Sequence, residues 1–270
     1  MAARGKRRAL GQHFLRDTSV ITRIVETALD EASRNGCSTL LEVGPGKGAL
    51  TSPIREALPR SPGIRRFLLV EKDRELAADW KNSGLEVVEG DFLDVPEATW
   101  LESAPVLVVS NLPYSSGTAI LTRLARHGNK IPAMVLMFQA EVARRLRAEP
   151  GTKDWGSLSI WIQNRWDVRK LCSVPPGAFS PPPEVDSEVV VLHRRLEPRI
   201  AVSEQDEPLW GNLLKTCFMH RRQMLRRVKT CQNALELAQV DGTKRAEVLG
   251  WEEWERFLRA VLRTERGMKS

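Results

Sequence analysis

The sequence predicts an α/β fold, a mostly parallel sheet with helices on both faces, followed by a small all-helical domain. Three observations carry that expectation. Short apolar runs alternate with helix-period segments through the first two-thirds of the chain. The first such run leads directly into a glycine-rich turn, and strand signals stop after about residue 196.

In chain order, Thr39–Val43, Arg66–Val70, Leu85–Val88, Val106–Ser110 and Ala133–Phe138 are the expected strands of the parallel part. Between them Ala49–Ala57, Arg74–Lys81 and Thr118–Arg126 have helical period, and Val135–Phe138 runs on into a helix over Gln139–Arg147. Trp155–Asn164 is a further expected helix, and Trp166–Cys172 and Ser187–Arg195 are two more strands. Between those strands lies a proline-dense connector, Val174–Asp186, stiff because proline fixes its own backbone and donates no hydrogen bond. Helical segments then follow at Glu207–Met219, Leu225–Gln232, Thr243–Leu249 and Trp251–Arg263. The expected domains are therefore 1–196 and 197–270.

Composition narrows the function classes. No window holds the roughly 20 apolar residues of a membrane span, and the basic N-terminus lacks the apolar core of a secretory signal. A cytoplasmic protein with no membrane partner is expected, as a monomer. The four cysteines contain no CxxC pair, and with four scattered histidines they offer no metal-ligand spacing. Forty-one basic against thirty-four acidic residues leave a net charge of +7, which suits a polyanionic partner. The excess is clustered at Arg4–Arg8, at Arg144, Arg145 and Arg147, at His193–Arg195, and most densely at Arg221, Arg222, Arg226, Arg227 and Lys229. One such cluster is commonly just a solvated helix face; four together favour a nucleic-acid surface, with the second and fourth the expected RNA contacts.

The first chemical signal is Leu40–Leu50, an apolar strand entering Gly44, Gly46 and Gly48. Glycines permit the tight turn and let a ligand approach the backbone. Alone, such a turn is ambiguous among nicotinamide, flavin and S-adenosylmethionine sites. Pro45 interrupts the amide row that would cradle a pyrophosphate, and the Glu42 carboxylate disfavours a phosphate but suits an ammonium. At the end of the second strand Glu71, followed by Lys72, is placed to accept from two ribose hydroxyls. At the end of the third, Asp91 can accept from an adenine amine and Phe92 can pack on the ring. The cofactor expected is S-adenosylmethionine.

Ser110-Asn-Leu-Pro-Tyr-Ser115 follows the fourth strand. The exocyclic amine of a purine is a poor nucleophile because its lone pair is delocalised. It needs acceptors that hold both N–H bonds and turn the lone pair outward. The Asn111 side-chain oxygen and the Leu112 carbonyl are suited to this, Pro113 stiffens the turn, and Tyr114 can stack on the base. Positioning and electrostatics would supply most of the rate.

Taken together, these motifs resemble the small-subunit ribosomal RNA adenine dimethyltransferases of the KsgA type, over about residues 11–227. The glycine turn, Glu71, Asp91 and Asn111–Tyr114 match that family in order and spacing, and Phe138–Leu146, Val174–Phe179 and Pro183–Ser187 are also similar to it. The resemblance implies a Rossmann-like S-adenosylmethionine-dependent methyltransferase domain. It further implies that Gly11-Gln-His-Phe-Leu15 closes over the cofactor, bringing Gln12, His13 and Leu15 to it. It implies that Phe179 faces Tyr114 across a flipped target adenine. Its substrate would be two adjacent adenosines in the 3′-terminal hairpin loop of 16S rRNA, in the 30S subunit or its precursor, dimethylated at N6. The chain departs from the family pattern at His13, where Asn is usual, and at Val228 and Lys229, where an Asn pair is usual. Two alternatives stand beside it. One is a macrolide-resistance-type large-subunit rRNA methyltransferase, whose motif usually has Ile at the position of Leu112. The other is a largely non-catalytic assembly or nucleic-acid-binding factor on the same fold.

Overall fold

In the computed structural model, which describes residues 13–228 and 231–267, the elements are β1 (Phe14–Leu15), α1 (Thr18–Arg34), β2 (Thr39–Val43), α2 (Thr51–Ala57), β3 (Arg66–Glu71), α3 (Arg74–Asn82) and β4 (Glu86–Glu89). They continue with α4 (Glu97–Leu101), β5 (Val106–Asn111), α5 (Gly117–Ala125), β6 (Ala133–Gln139), α6 (Ala140–Arg147) and α7 (Ser157–Gln163). The chain ends through β7 (Trp166–Val174), β8 (Phe179–Ser180), β9 (Ser187–Arg194), α8 (Glu207–Met219), α9 (Gln232–Ala238) and α10 (Trp251–Gly267). Among the described residues, those up to 143 with 166–194 make one unit, and 144–165 with those from 195 onward another.

The first unit is organised by a seven-stranded sheet in the order β4-β3-β2-β5-β6-β9-β7. Its first five strands are parallel, and β9 runs antiparallel to both β6 and β7. β2 is buried throughout and β5 and β6 are buried up to their last residue, as expected of aliphatic runs covered on both faces. Each such Leu, Val or Ile contributes roughly 1.5–3 kcal/mol by leaving water. The edge strand β4 is more exposed and polar, with Glu86 and Glu89 at its ends. From β2 the chain steps outward to β4, then returns to β5 on the other side of β2. A crevice opens at such a reversal, beyond the carboxyl ends of the two strands.

Helix α1 was not anticipated. Asp17 caps it by accepting from the amides of Ser19 (3.0 Å) and Val20 (3.1 Å). Val20, Ile24, Ala28 and Ala32 form its buried face at i, i+4 spacing. Its one buried acid, Glu31, meets His193 (Nε2–Oε2 2.9 Å) and Arg169 (Nη2–Oε1 3.2 Å) on β9 and β7. His193 thus belongs to a polar cluster around Glu31.

The second unit buries Trp155, Ile160, Trp210, Leu214, Trp254 and Phe257. It begins before the change of character near residue 196, because the 144–165 segment is bound into it. Asn164 exchanges two hydrogen bonds with the Ile200 backbone (3.1 and 2.7 Å), and Gln163 donates to the carbonyls of Leu146 (3.0 Å) and Ala148 (2.8 Å). The expected helices over 225–232 and 243–249 are reduced to short 3₁₀ turns at Leu225–Arg227 and Ala246–Val248, with α9 starting only at Gln232. The cause is a long-range pairing: the amides of Leu225 and Arg226 donate to Lys244 and Gly242 carbonyls, both at 2.9 Å. A Cβ at Gly242 would lie 3.0 Å from that of Arg226, so glycine permits the approach.

Candidate active site

The glycine turn leaves β2 at the reversal point. Gly44 (φ +69°) donates its amide to Val70 at 2.8 Å, and Gly46 (φ +55°) donates to Glu71 Oε2 at 2.9 Å. Gly48 (φ +85°) has a steric role as well: a Cβ there would come within 2.4 Å of the Trp80 ring. Trp80 in turn donates Nε1–H to the Gly46 carbonyl at 2.9 Å. The other oxygen of Glu71 accepts from the Asp73 amide at 2.8 Å. Two backbone donors therefore orient this carboxylate where β3 ends.

Glu42 lies on β2, buried, and accepts from the Thr51 hydroxyl at 2.8 Å. Burial pushes its carboxyl up to about 8; the Thr51 bond opposes that, and the nearby Glu71 charge adds to it.

The second wall comes from the end of β5. The Ser110 hydroxyl donates to the Val43 carbonyl at 2.5 Å, tying β5 to β2 beside the turn. Asn111 follows, half-buried, and no described residue hydrogen-bonds to its side-chain amide. Leu112 is buried; Tyr114 is half-buried, with its hydroxyl 2.6 Å from Ser187 Oγ. The His13 ring stacks on Tyr114 at 5.7 Å between centroids and 29° between planes, and its Nδ1 lies 2.9 Å from the Pro181 carbonyl. A carbonyl only accepts, so Nδ1 carries the proton.

One cleft brings together His13 and Leu15, Glu42, Gly44 and Gly46, Glu71, and Asn111–Tyr114. Phe14, Lys47 and Leu50 also line it, although the motifs did not single them out; Lys47 Nζ sits 4.6 Å from the Phe14 ring centre. Gln12 lies outside the described residues.

Three residues expected at the cofactor do not line this cleft. Lys72 and Asp91 pair with each other (Nζ–Oδ2 2.7 Å), and the second Asp91 oxygen accepts from the Leu93 amide at 3.0 Å. The Lys72 bond holds the Asp91 carboxyl below its usual range, and the Leu93 amide adds to that. Phe92 is buried against Trp100, 5.1 Å between ring centres, with the Arg123 guanidinium 5.4 Å from its centre. Phe179, opposite Leu15 where β8 pairs with β1, is also absent from the lining of the cleft: it is only 4% exposed and belongs to the core of the unit.

The basic residues divide in the same way. Arg144, Arg145, Arg222, Arg226 and Arg227 are exposed, and Arg147 is half-buried. Arg221 is bound within its own unit, through Nε to Glu247 at 2.6 Å and through Nη2 to the Lys153 carbonyl.

The residues present fit S-adenosylmethionine at two ends. A buried carboxyl beside the turn matches an ammonium, and a carboxylate at the end of β3 matches a ribose diol. Pro45 supplies no amide for a phosphate. A family model described as ribosomal RNA adenine dimethylase matches residues 3–266. The chain belongs to that family.

Relatives agree. A protein of Leptothrix cholodnii named ribosomal RNA small subunit methyltransferase A is 37% identical over 96% of this chain and 93% of its own length. One of the same name from Rhodospirillum rubrum is 39% identical over 94% of this chain and 88% of its own. Among solved structures, a dimethyladenosine transferase of Plasmodium falciparum superposes with a TM-score of 0.70 at 23% identity, covering 94% of this chain and 98% of its own, and carries the fold alone. The 23S rRNA methyltransferase ErmE superposes at 0.61 with 27% identity, covering 92% and 99%.

Proposed function

We propose that the protein transfers methyl groups from S-adenosylmethionine to N6 of two adjacent adenosines in the 3′-terminal hairpin loop of 16S rRNA. The substrate is the 30S subunit or its precursor, and the protein acts as a monomer in the cytoplasm. Relatives named for the small subunit, at 37% and 39% identity, favour that RNA over the large-subunit substrate named for ErmE at 27%. Among the described residues no helix is long and apolar enough to cross a membrane.

One observation carries the chemistry: an Asn111 amide with no hydrogen-bond partner among the described residues, at the end of β5 in the cleft that Glu42 and Glu71 line. The Asn111 oxygen and the Leu112 carbonyl accept the two N6 hydrogens, which draws the nitrogen lone pair out of conjugation. Tyr114 stacks on the base and fixes its plane. Glu42 meets the ammonium of the cofactor and Glu71 its ribose hydroxyls. The cofactor, when bound, supplies a methyl group made electrophilic by its sulfonium. As the N6–methyl bond forms the methyl–sulfur bond breaks, and the methylated nitrogen then gives up one proton to solvent; it keeps one N–H, so one of the two acceptors releases and the base turns for the second transfer. Lys72, Asp91 and Phe92 stand outside the lining of this cleft, Lys72 and Asp91 paired with each other and Phe92 buried.

The test incubates the protein and labelled cofactor with unmethylated small subunits, and separately with large subunits, and maps the modified bases. Label at N6 of two neighbouring adenosines in the 3′ hairpin is expected. Label in large-subunit RNA, or on another atom, overturns the assignment. Asn111→Ala should lower kcat by at least about a hundredfold, the scale for loss of one preorganised polar contact to a reacting group, with the fold and RNA affinity kept. Retained methyl transfer by a folded Asn111→Ala protein excludes the mechanism.

A further inference from the structure

We propose that Ser187 is a positioning residue for methyl transfer: its hydroxyl fixes the Tyr114 ring on which the target base stacks. The proposal rests on the functional reading above and adds to it a residue outside the Asn111–Tyr114 motif.

Tyr114 sits on the turn after β5, and a turn alone leaves an aromatic side chain free to rotate about χ1 and χ2. Two contacts remove that freedom. His13 covers one face of the ring at 5.7 Å, and Ser187 Oγ holds the hydroxyl at 2.6 Å. Ser187 is the more rigid anchor. It is fully buried and opens β9, where it is in register with Gln139 of β6 and with Val174 of β7. The bond thus joins the catalytic turn to the antiparallel half of the sheet, 73 residues away. A tilt of the ring moves a stacked base edge relative to two acceptors whose own positions are set by β5. Small misplacements of that kind are costly when catalysis is mainly positional. Burial raises the Tyr114 phenol above its ordinary value, and the Ser187 hydroxyl partly offsets this, as a hydrogen bond to the phenolate should.

The chain contains a single tyrosine, so tyrosine labelled with ¹³C at Cζ gives one NMR signal that reports Tyr114 alone. In Ser187→Ala the phenol should titrate at higher pH than in the unsubstituted protein. kcat on small subunits should fall roughly three- to tenfold, the scale of one hydrogen bond, while KM for S-adenosylmethionine holds. Tyr114→Phe removes the same bond from the other side and should lose at least as much. Adding Ser187→Ala to Tyr114→Phe should then cost nothing further. An unshifted Tyr114 titration overturns the proposal. So does unchanged kcat in either single variant, or a full additional loss from Ser187→Ala in the Tyr114→Phe background. Should Ser187→Ala fail to fold, Tyr114→Phe decides, because it leaves Ser187 in place. An unsubstituted protein that methylates no RNA would sink the functional reading instead, and the NMR titration would still judge Ser187's hold on the ring.

Discussion

Glu42 is a carboxyl kept largely neutral near pH 7 by burial, in a place where it meets an ammonium when the cofactor binds. Its folded-state value, about 8, lies above the 4.5 of an unperturbed glutamate. The folded state therefore holds a proton that the unfolded chain gives up, and this contribution to stability is fully present below 4.5 and lost as pH rises through about 8. An arriving ammonium favours the ionised carboxyl. Cofactor binding below pH 8 should thus release about one proton, read by calorimetry in buffers of differing ionisation enthalpy. Glu42→Gln should abolish that release and flatten the cofactor-free melting temperature across the same range. Equal proton release by Glu42→Gln would show that another group titrates. Glu42, Glu71 and Asn111 were legible in the sequence because a strand running into a tight turn fixes where its last side chains go. The Lys72–Asp91 pairing was not legible, because that bond spans 19 residues and leaves no local pattern. The burial of Phe92 and Phe179 was illegible for a related reason: an aromatic near the end of a strand is equally suited to a ligand or to the core, and sequence pattern does not choose.

At the scale of elements, buried apolar runs placed β2, β3, β5 and β6 to within about one residue, because strands covered on both faces must be apolar for nearly their whole length. The second unit was less legible. The 225–232 segment has helical period, yet its first amides pair with the backbone of residues 242 and 244, and no periodicity encodes that choice. Helix α1 left a signal in its Asp17 cap and its i, i+4 apolar stripe, and it also carries the acid that links it to the antiparallel strands. Glu31 is 3% exposed, whereas the side chains of Arg169 and His193 are about half and a third exposed. Replacing Glu31 leaves partners that water can still reach, so the cost is less than that of a stranded buried charge. Glu31→Ala should destabilise the protein by about 1–3 kcal/mol, measured as a lower urea midpoint at unchanged slope. A midpoint within error of the unsubstituted protein would mean that the cluster adds nothing to the docking of α1 on β7 and β9.

For the whole molecule, the net charge of +7 says only that a polyanion is favoured. The sequence could not say which charges are available to RNA, because a run of arginines looks the same whether it faces water or its own chain. The structure separates them. His193 meets Glu31, and Arg221 is bound to Glu247 and to the Lys153 carbonyl, while Arg222, Arg226 and Arg227 are exposed. Neutralising the exposed three should weaken binding to small subunits and lower the slope of log affinity against log salt by up to about 0.9 for each phosphate that is no longer neutralised. Their melting temperature should hold, since none of the three fills the core of its unit. Arg221→Ala should behave the other way round. It strips Glu247 of its closest cation and frees the 152–153 segment, so the fold should weaken while the salt slope of the surviving folded protein stays unchanged. Filter binding across a salt series, beside thermal melts, distinguishes the two. If Arg221→Ala flattens the salt slope as much as the triple change, its guanidinium leaves Glu247 for phosphate when RNA binds, and exposure in the RNA-free protein is then no guide to which arginines meet RNA.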